Sequence, residues 1–483
     1  MRSIPACVAL GLFGAASAQP SLERLRSAER PHFATGHTLP PLTRWGWTLP
    51  YDVRLELCEN WGYALEFGGY VTPEVAARLD DPNSEESKLC ALTAADPKRY
   101  PLFVLTWRAL DQPVGDPWCR DAEGNLIDGK EVWSPEAPES VFEEAAERVA
   151  APLRKIREKA PIAIVLNGGE YALSVYGHHG SVWGRDPKVM AAKGDRDWFD
   201  YISEQKTRQE MPITRACREA MDGNSGVGSG DLTYGSLYLY YPTEGCAHAN
   251  RYAGWDQWAV DYRHFRTVSD VPNTSIYYRH FTSGWTGDND MLTQALNATA
   301  QQTALGDPLS YNWMNAGWPR GNGDADFSDP ERYMGYLKCY YTAGMIGGVA
   351  GYFSVPKEDD PGWLWQMTVL SHCHALFSHL EEFLRNGDLL PGPDRHRWSK
   401  HLPAYEFPTG DPEARVVVRR HRDRDEWLVT AWAAGGDDRL VSVEIPELRK
   451  VQLEARKCGS VYRAGPGQLQ RVDEDGMQPT RGM

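Results

Sequence analysis

The chain has 483 residues and a formal net charge of −15 at pH 7, with 66 acidic against 51 basic side chains. This balance disfavours a nucleic-acid partner, because binding a polyanion needs a positive footprint. The length allows two or three domains, or one large barrel with an appendage, but says nothing about oligomeric state.

The first eighteen residues have the features of a cleaved secretory signal. They carry Arg2, an apolar stretch over 6–16 and the ending Ala16-Ser17-Ala18, as signal peptides do. We therefore expect a signal peptide at 1–18 and a secreted protein, extracellular or periplasmic. A membrane anchor is the alternative, but the apolar run is shorter than the ~20 residues needed to span a bilayer. No membrane association is expected.

Eight runs typical of strands lie between residues 43 and 387, separated by helical segments. The strands are predicted near 44–47, 63–68, 102–107, 162–166, 236–241, 275–279, 308–313 and 348–353. The helices are predicted over 52–60, from Pro73, over 138–159, and over 361–386 with Gly387 as the terminating residue. This alternation predicts an α/β fold, a (β/α)8 TIM barrel spanning 19–390.

The pattern changes after Pro391-Gly392-Pro393. Strand-like runs recur at hairpin spacing over 414–418, 426–432 and 440–445. They predict a C-terminal all-β sandwich over 391–475, followed by a tail over 476–483.

The number and spacing of cysteines and histidines indicate whether disulfides or a metal site are expected. Eight cysteines follow the signal, and an even number in an oxidising compartment predicts disulfides of unknown pairing. No CxxC is present, and His372 and His374 are two apart on a predicted helix, which points them to different faces. We therefore expect no metal and no cofactor.

Candidate catalytic residues are expected directly after the predicted strands, because the reactive groups of (β/α)8 barrels lie at the carboxyl ends of the strands. Glu170 follows strand four after Asn167-Gly168-Gly169, and Glu244 follows strand five. Hydrolysis of a glycosidic bond needs two carboxyl groups, one protonated and one ionised. Glu170 and Glu244 are the predicted catalytic pair. Two alternatives are that Glu170 only caps a helix and that Glu358 or Asp359, after strand eight, is the second carboxylate.

In these features the chain resembles the clan of retaining glycoside hydrolases with (β/α)8 barrels, in which strand four ends in Asn-Glu. The resemblance covers 43–390 by architecture and Asn167 and Glu170 by motif, with two glycines between them. It implies that Glu170 is the acid/base. The clan's nucleophile is a Glu on strand seven, whereas the predicted strand seven here ends without a carboxylate. The α-amylase family is similar in placing its pair on strands four and five, although its motifs are absent.

The chain is rich in aromatic residues, with 18 Trp and 23 Tyr, and sugar rings pack on such side chains. Predicted substrate-binding residues are Trp45, Trp47, Trp107, Arg108, Asn167, Tyr171, His178, Tyr241, Arg279, His280, Trp285 and Trp313, with Trp183, Trp318 and His248 as further candidates. The alternative for the rings is a place in the core, and for the charged groups ordinary salt bridges.

The sequence as a whole predicts a glycosidase acting on a polysaccharide or oligosaccharide. Two rivals are a catalytically inert carbohydrate-binding barrel, which needs no close carboxylate pair, and a polysaccharide lyase, which needs a Tyr or His base and a uronate substrate. The sugar, the linkage and the stereochemical outcome do not follow from the sequence.

Overall fold

The computed structural model describes most of the chain as helices, strands and defined turns. The described residues are 14–45, 49–107, 115–168, 182–221, 237–241, 268, 270–272, 275–276, 292, 309–314, 317–319, 325–327, 329–350, 362–394 and 403–473. Everything below refers to these residues.

The helices follow the chain in this order: α1 (Gly14–Ser27), α2 (Tyr51–Asn60), α3 (Pro73–Ala77), α4 (Glu85–Ala95), α5 (Glu139–Arg157), α6 (Pro187–Lys193), α7 (Trp198–Ala220), α8 (Pro330–Ala343), α9 (Gly362–Ser378) and α10 (Glu381–Asn386). The strands are β1 (Arg44–Trp45), β2 (Leu65–Tyr70), β3 (Leu102–Trp107), β4 (Ile164–Gly168), β5 (Leu237–Tyr241), β6 (Val271–Pro272), β7 (Ser275–Ile276), β8 (Ser310–Met314), β9 (Gly317–Pro319), β10 (Ala325–Phe327), β11 (Met345–Ala350), β12 (Gly387–Leu389), β13 (Ala414–His421), β14 (Trp427–Ala433), β15 (Arg439–Ile445), β16 (Arg449–Ala455), β17 (Ser460–Gly465) and β18 (Gln468–Arg471).

Parallel strands form two sheets, in the orders β2-β3-β4-β5-β6 and β1-β11-β8-β7. Each of the eight predicted strand regions overlaps a strand of these sheets, which confirms the predicted strand positions. A parallel bridge between Leu42 and Tyr63 connects the chain before β1 to the chain before β2. At the other end, the short run 271–276 contributes β6 to one sheet and β7 to the other.

The strands β3 and β4 present alternate residues to two different apolar clusters, as the period of two in a strand requires. Leu102, Val104 and Val165 pack outward against α5 and α7. Phe103 and Leu166 belong instead to the large cluster that also holds Tyr63, just before β2, and Tyr311 of β8. The outer face of this sheet is therefore covered by helices, and the inner face looks toward the other parallel strands.

The C-terminal part is all β, as the recurring runs predict. The antiparallel sheet β12-β13-β14-β17-β18 and the hairpin β15-β16 enclose an apolar core of their own. β12 already pairs with β13, although it precedes residue 391, where the sequence predicts this part to begin. The helix α8 packs on β13 and β14, and a Cβ on Gly335 would lie 2.2 Å from the Trp432 ring, so only glycine allows this contact.

The predicted helix over 361–386 is wrong as a single helix. It consists of α9 and α10, separated by a turn in which the Leu380 amide donates to the Phe377 carbonyl. Gly387 does not terminate it in a left-handed conformation, since its φ is −120° and it begins β12. Glycine is required there because a Cβ would lie 2.3 Å from the Phe383 carbonyl oxygen.

The predicted disulfides are absent among the cysteines that the structure describes. Seven cysteines are buried free thiols: Cys58, Cys90, Cys119, Cys217, Cys339, Cys373 and Cys458. Burial raises the pKa of the Cys58, Cys90 and Cys119 thiols to about 12. Each packs as a small apolar side chain. Cys246 lies outside the described residues.

At the amino terminus, α1 runs across the predicted cleavage point after Ala18, and its Leu25 is fully buried. No helix in the described ranges is both long and apolar enough to cross a membrane.

Candidate active site

The carboxyl ends of β3, β4 and β5 lie side by side at one edge of the sheet. In the parallel register Trp107 is opposite Gly168, and Gly168 is opposite Tyr241. Gly168 has the strand parity of Ile164 and Leu166, which belong to the inner cluster. The backbone that leads to Glu170 and the backbone that leads to Glu244 therefore leave neighbouring strands at the same level.

A buried ion pair connects β1 and β2. The Arg44 guanidinium donates to both carboxylate oxygens of Glu66, with Nη2 to Oε2 at 2.8 Å and Nη2 to Oε1 at 3.0 Å. Leu65 and Phe67 belong to clusters packed on the helices, so Glu66 between them faces the other way. Arg54 on α2 donates to the Glu66 carbonyl at 2.9 Å and holds the same residue from its backbone.

Asn167 faces the helix layer, on the same side of β4 as Val165. Its Oδ1 accepts a hydrogen bond from the Thr106 hydroxyl at 3.2 Å, and its Nδ2 donates to the Glu210 carboxylate on α7 at 3.3 Å. The side chain is 1% exposed. A role for Asn167 in binding substrate stays a prediction that these hydrogen bonds do not support.

Most of the predicted site lies outside the described residues, including both members of the catalytic pair. This holds for Trp47, Arg108, Glu170, Tyr171, His178, Glu244, His248, Arg279, His280, Trp285, Glu358 and Asp359. The backbones of Trp45, Trp107, Tyr241, Trp313 and Trp318 are strand residues of β1, β3, β5, β8 and β9. The roles of all these side chains remain predictions.

Trp183 is one candidate that the structure excludes from a sugar cleft. It is 1% exposed, packs in an apolar cluster with Cys119 and Tyr201, and donates from Nε1 to the Trp133 carbonyl at 3.0 Å. Burial of the whole ring leaves no face for a sugar.

The two histidines of α9 point to different neighbours, as their spacing predicts. His372 contacts the Trp61 ring edge-on, whereas His374 accepts at Nδ1 from the Tyr341 hydroxyl and donates from Nε2 to the Pro40 carbonyl. Burial lowers the pKa of His374 to about 3, which keeps it neutral. Within the described ranges no three His, Cys, Asp or Glu side chains come together as a metal site would require.

The sequence does not predict the contacts of three buried polar residues: Arg44, Glu66 and Glu210. Arg44 and Glu66 are 22 positions apart, and no local pattern indicates that they pair. Glu210 lies inside α7, where a glutamate ordinarily faces solvent. The one available signal is that Glu66 interrupts an otherwise apolar strand run.

Comparisons with known proteins give structural likeness at low identity only. No family model and no curated protein sequence matches the chain. Among solved structures, alpha-L-fucosidase isoenzyme 2 from Paenibacillus thiaminolyticus is 11% identical over 73% of this chain and 51% of its own, with a TM-score of 0.41. This chain thus spans about half the length of that fucosidase.

Two further structures match over most of both chains. A maltogenic alpha-amylase from Thermotoga neapolitana is 11% identical over 94% of this chain and 93% of its own, with a TM-score of 0.37. A GH30 endoxylanase from Clostridium papyrosolvens is 10% identical over 90% and 99%, with a TM-score of 0.38. These scores are too low for a shared activity to follow from them.

Proposed function

We propose that the chain is a secreted glycoside hydrolase in which Glu170 is the general acid/base and Glu244 the second carboxylate. The proposal includes closure of the two parallel sheets into one eight-stranded barrel, with the Leu42–Tyr63 bridge on one side and the run 271–276 on the other. It also includes cleavage of the signal peptide after residue 18.

The observation that carries the proposal is the parallel pairing of β4 with β5, in which Gly168 is opposite Tyr241. Glu170 follows two residues after Gly168, and Glu244 follows three residues after Tyr241. Neighbouring strands are about 4.8 Å apart, and each residue extends the chain by at most about 3.6 Å. Both carboxylates therefore start within reach of one sugar unit.

The chemistry follows from two carboxyl groups at one rim. The protonated Glu170 gives its proton to the glycosidic oxygen as the bond to the anomeric carbon breaks, and the ionised Glu244 stabilises or attacks that carbon. A separation of about 5–5.5 Å between the two groups means retention, and about 6.5–9.5 Å means inversion. The backbones of Trp107 and Tyr241 are opposite Gly168 in the register, and we propose both residues as sugar contacts.

The test is hydrolysis of a panel of plant, algal, fungal and bacterial glycans, followed by release of reducing ends. We expect Glu170→Gln and Glu244→Gln each to lower kcat by about 10²–10⁴-fold, the usual contribution of a positioned acid or base. Glu158→Gln is the matched control, because Glu158 is exposed directly after α5, near the start of β4.

Three outcomes contradict the proposal. Full activity of purified, folded Glu170→Gln excludes Glu170 as the acid. Glycan binding by the wild type without release of reducing ends indicates an inert binding barrel. Products that absorb in the ultraviolet indicate a lyase that forms an unsaturated sugar.

A further inference from the structure

A chain of hydrogen bonds behind β4 leads to a buried carboxylate. The Thr106 hydroxyl of β3 donates to the Asn167 carboxamide oxygen, and the Asn167 carboxamide nitrogen donates to Glu210 of α7. Thr106 is 2% exposed, and Asn167 and Glu210 are each 1% exposed. The three groups lie between the sheet and the helix layer, on the side opposite to the inner cluster.

The donors and acceptors in this chain allow only one orientation of the asparagine. The NH2 of Asn167 faces Glu210, as it must when the carboxylate is ionised and can only accept. The carboxamide oxygen then faces the Thr106 hydroxyl, which donates to it. Asn167 is therefore held from two sides, by the neighbouring strand and by α7.

The position of Asn167 in the sequence makes this anchorage important. Gly168 and Gly169 separate it from Glu170, and neither glycine has a side chain to attach its backbone to the fold. Asn167 is thus the last anchored side chain of β4 before the proposed acid/base. A glycine has more accessible backbone conformations than other residues, so an anchored side chain directly before this pair limits how the chain leaves β4.

We propose that Glu210 is a positioning residue for the active site, which it serves by holding Asn167 and with it the carboxyl end of β4. The inference rests on the proposed function, since its purpose is to place Glu170. Glu210 touches no reacting atom; it reduces the conformational freedom of the strand end from which Glu170 extends. Placement within fractions of an ångström matters, because general acid catalysis requires hydrogen-bonding distance to the glycosidic oxygen.

Glu210→Met removes the acceptor while keeping volume and helix propensity, so it tests this role. Gln209→Met is the matched control, because Gln209 is equally buried on the same turn and its amide has no hydrogen-bond partner within the described structure. We expect Glu210→Met to lower kcat about tenfold with KM within about twofold of the wild type, as loss of an aligned geometry would. Glu210→Gln can still accept from Asn167 through its amide oxygen and should restore most of kcat.

Hydrogen–deuterium exchange of the peptide covering 164–170 supplies a readout independent of hydrolysis. We expect faster exchange there in Glu210→Met and no change in Gln209→Met. Thr106→Val removes the donor at the other end of the chain without changing shape, and it should give the same effects to a smaller extent. This second variant keeps the test decisive if Glu210→Met does not fold.

The outcomes separate the two proposals. Hydrolysis by the wild type but not by Glu170→Gln supports the proposed function. If, in that case, Glu210→Met or Thr106→Val matches the wild type in kcat or in hydrogen–deuterium exchange, the positioning role of Glu210 is wrong while the proposed function stands. Equal loss of kcat in Gln209→Met and Glu210→Met also overturns it. A wild type that hydrolyses no glycan overturns the proposed function and the positioning role together.

Discussion

Two buried ion pairs stabilise different parts of the molecule in different ways. Arg44 and Glu66 join β1 to β2 among the parallel strands that form the proposed barrel. Lys338 and Asp473 join α8 to the segment that follows β18, with Nζ to Oδ2 at 2.6 Å and both side chains shielded from water. The first pair holds two strands of the proposed barrel, whereas the second fixes the C-terminal β part to its helix.

Burial alone does not assign a role to an ion pair. A buried pair costs desolvation free energy, and removing one partner leaves a charge without compensation. What distinguishes the two pairs is the backbone that each one holds. We therefore expect variants of the first pair to change activity and stability, and variants of the second to change stability only.

The largest effect is expected for Arg44→Met. It leaves the Glu66 carboxylate buried without its guanidinium, which should lower the free energy of unfolding by about 3–5 kcal/mol. Glycan hydrolysis should fall as well, because β1 and β2 belong to the parallel strands that carry the proposed site. Urea denaturation and kcat measure the two effects. The double variant Arg44→Met/Glu66→Leu is the control and should recover stability. Wild-type kcat in Arg44→Met would contradict the expectation that only the first ion pair affects activity.

A smaller effect is expected for Lys338→Met, since Asp473 keeps its hydrogen bond from Arg471 at 2.8 Å. The free energy of unfolding should fall by about 3 kcal/mol, while kcat measured well below the unfolding temperature should not change. Lys457→Met makes the same substitution at a partly exposed pair with Asp329, and it should cost less than about 1 kcal/mol. A reduced kcat in folded Lys338→Met would contradict the separation.

The smallest effect is a pH dependence of the second pair. Burial alone would raise the pKa of Asp473, but the Lys338 ammonium and hydrogen bonds lower it below its ordinary value of 3.8. A carboxyl whose pKa is lower in the folded state stabilises the fold above its unfolded pKa, and this stabilisation is lost as pH falls further. The stability difference between wild type and Lys338→Met should thus narrow below pH 3.8. Denaturation curves at neutral and acidic pH measure it, and a constant difference would contradict it.

The sequence predicts the strand order well and the polar contacts poorly. The apolar run before Asn167 identifies β4, because a strand covered on both faces must be apolar throughout. The contact of Asn167 with Glu210 depends on which way one strand residue faces and on how α7 packs, 43 positions later. Likewise, no local pattern indicates the turn at Leu380 or the close approach that requires Gly387. Long-range packing decides these features, whereas periodicity reports only the local backbone.

The seven buried thiols have a practical consequence. An alkylating reagent reacts with thiolates, and these sulfurs are protonated at neutral pH and shielded from solvent in the native protein. Brief exposure to iodoacetamide should therefore modify them only in molecules that have opened. Mass spectrometry of the modified peptides would then show which part of the protein opens first. Cys90 on α4 and Cys217 on α7 belong to the apolar cluster that packs on α5, whereas Cys458 lies beside the C-terminal sheet.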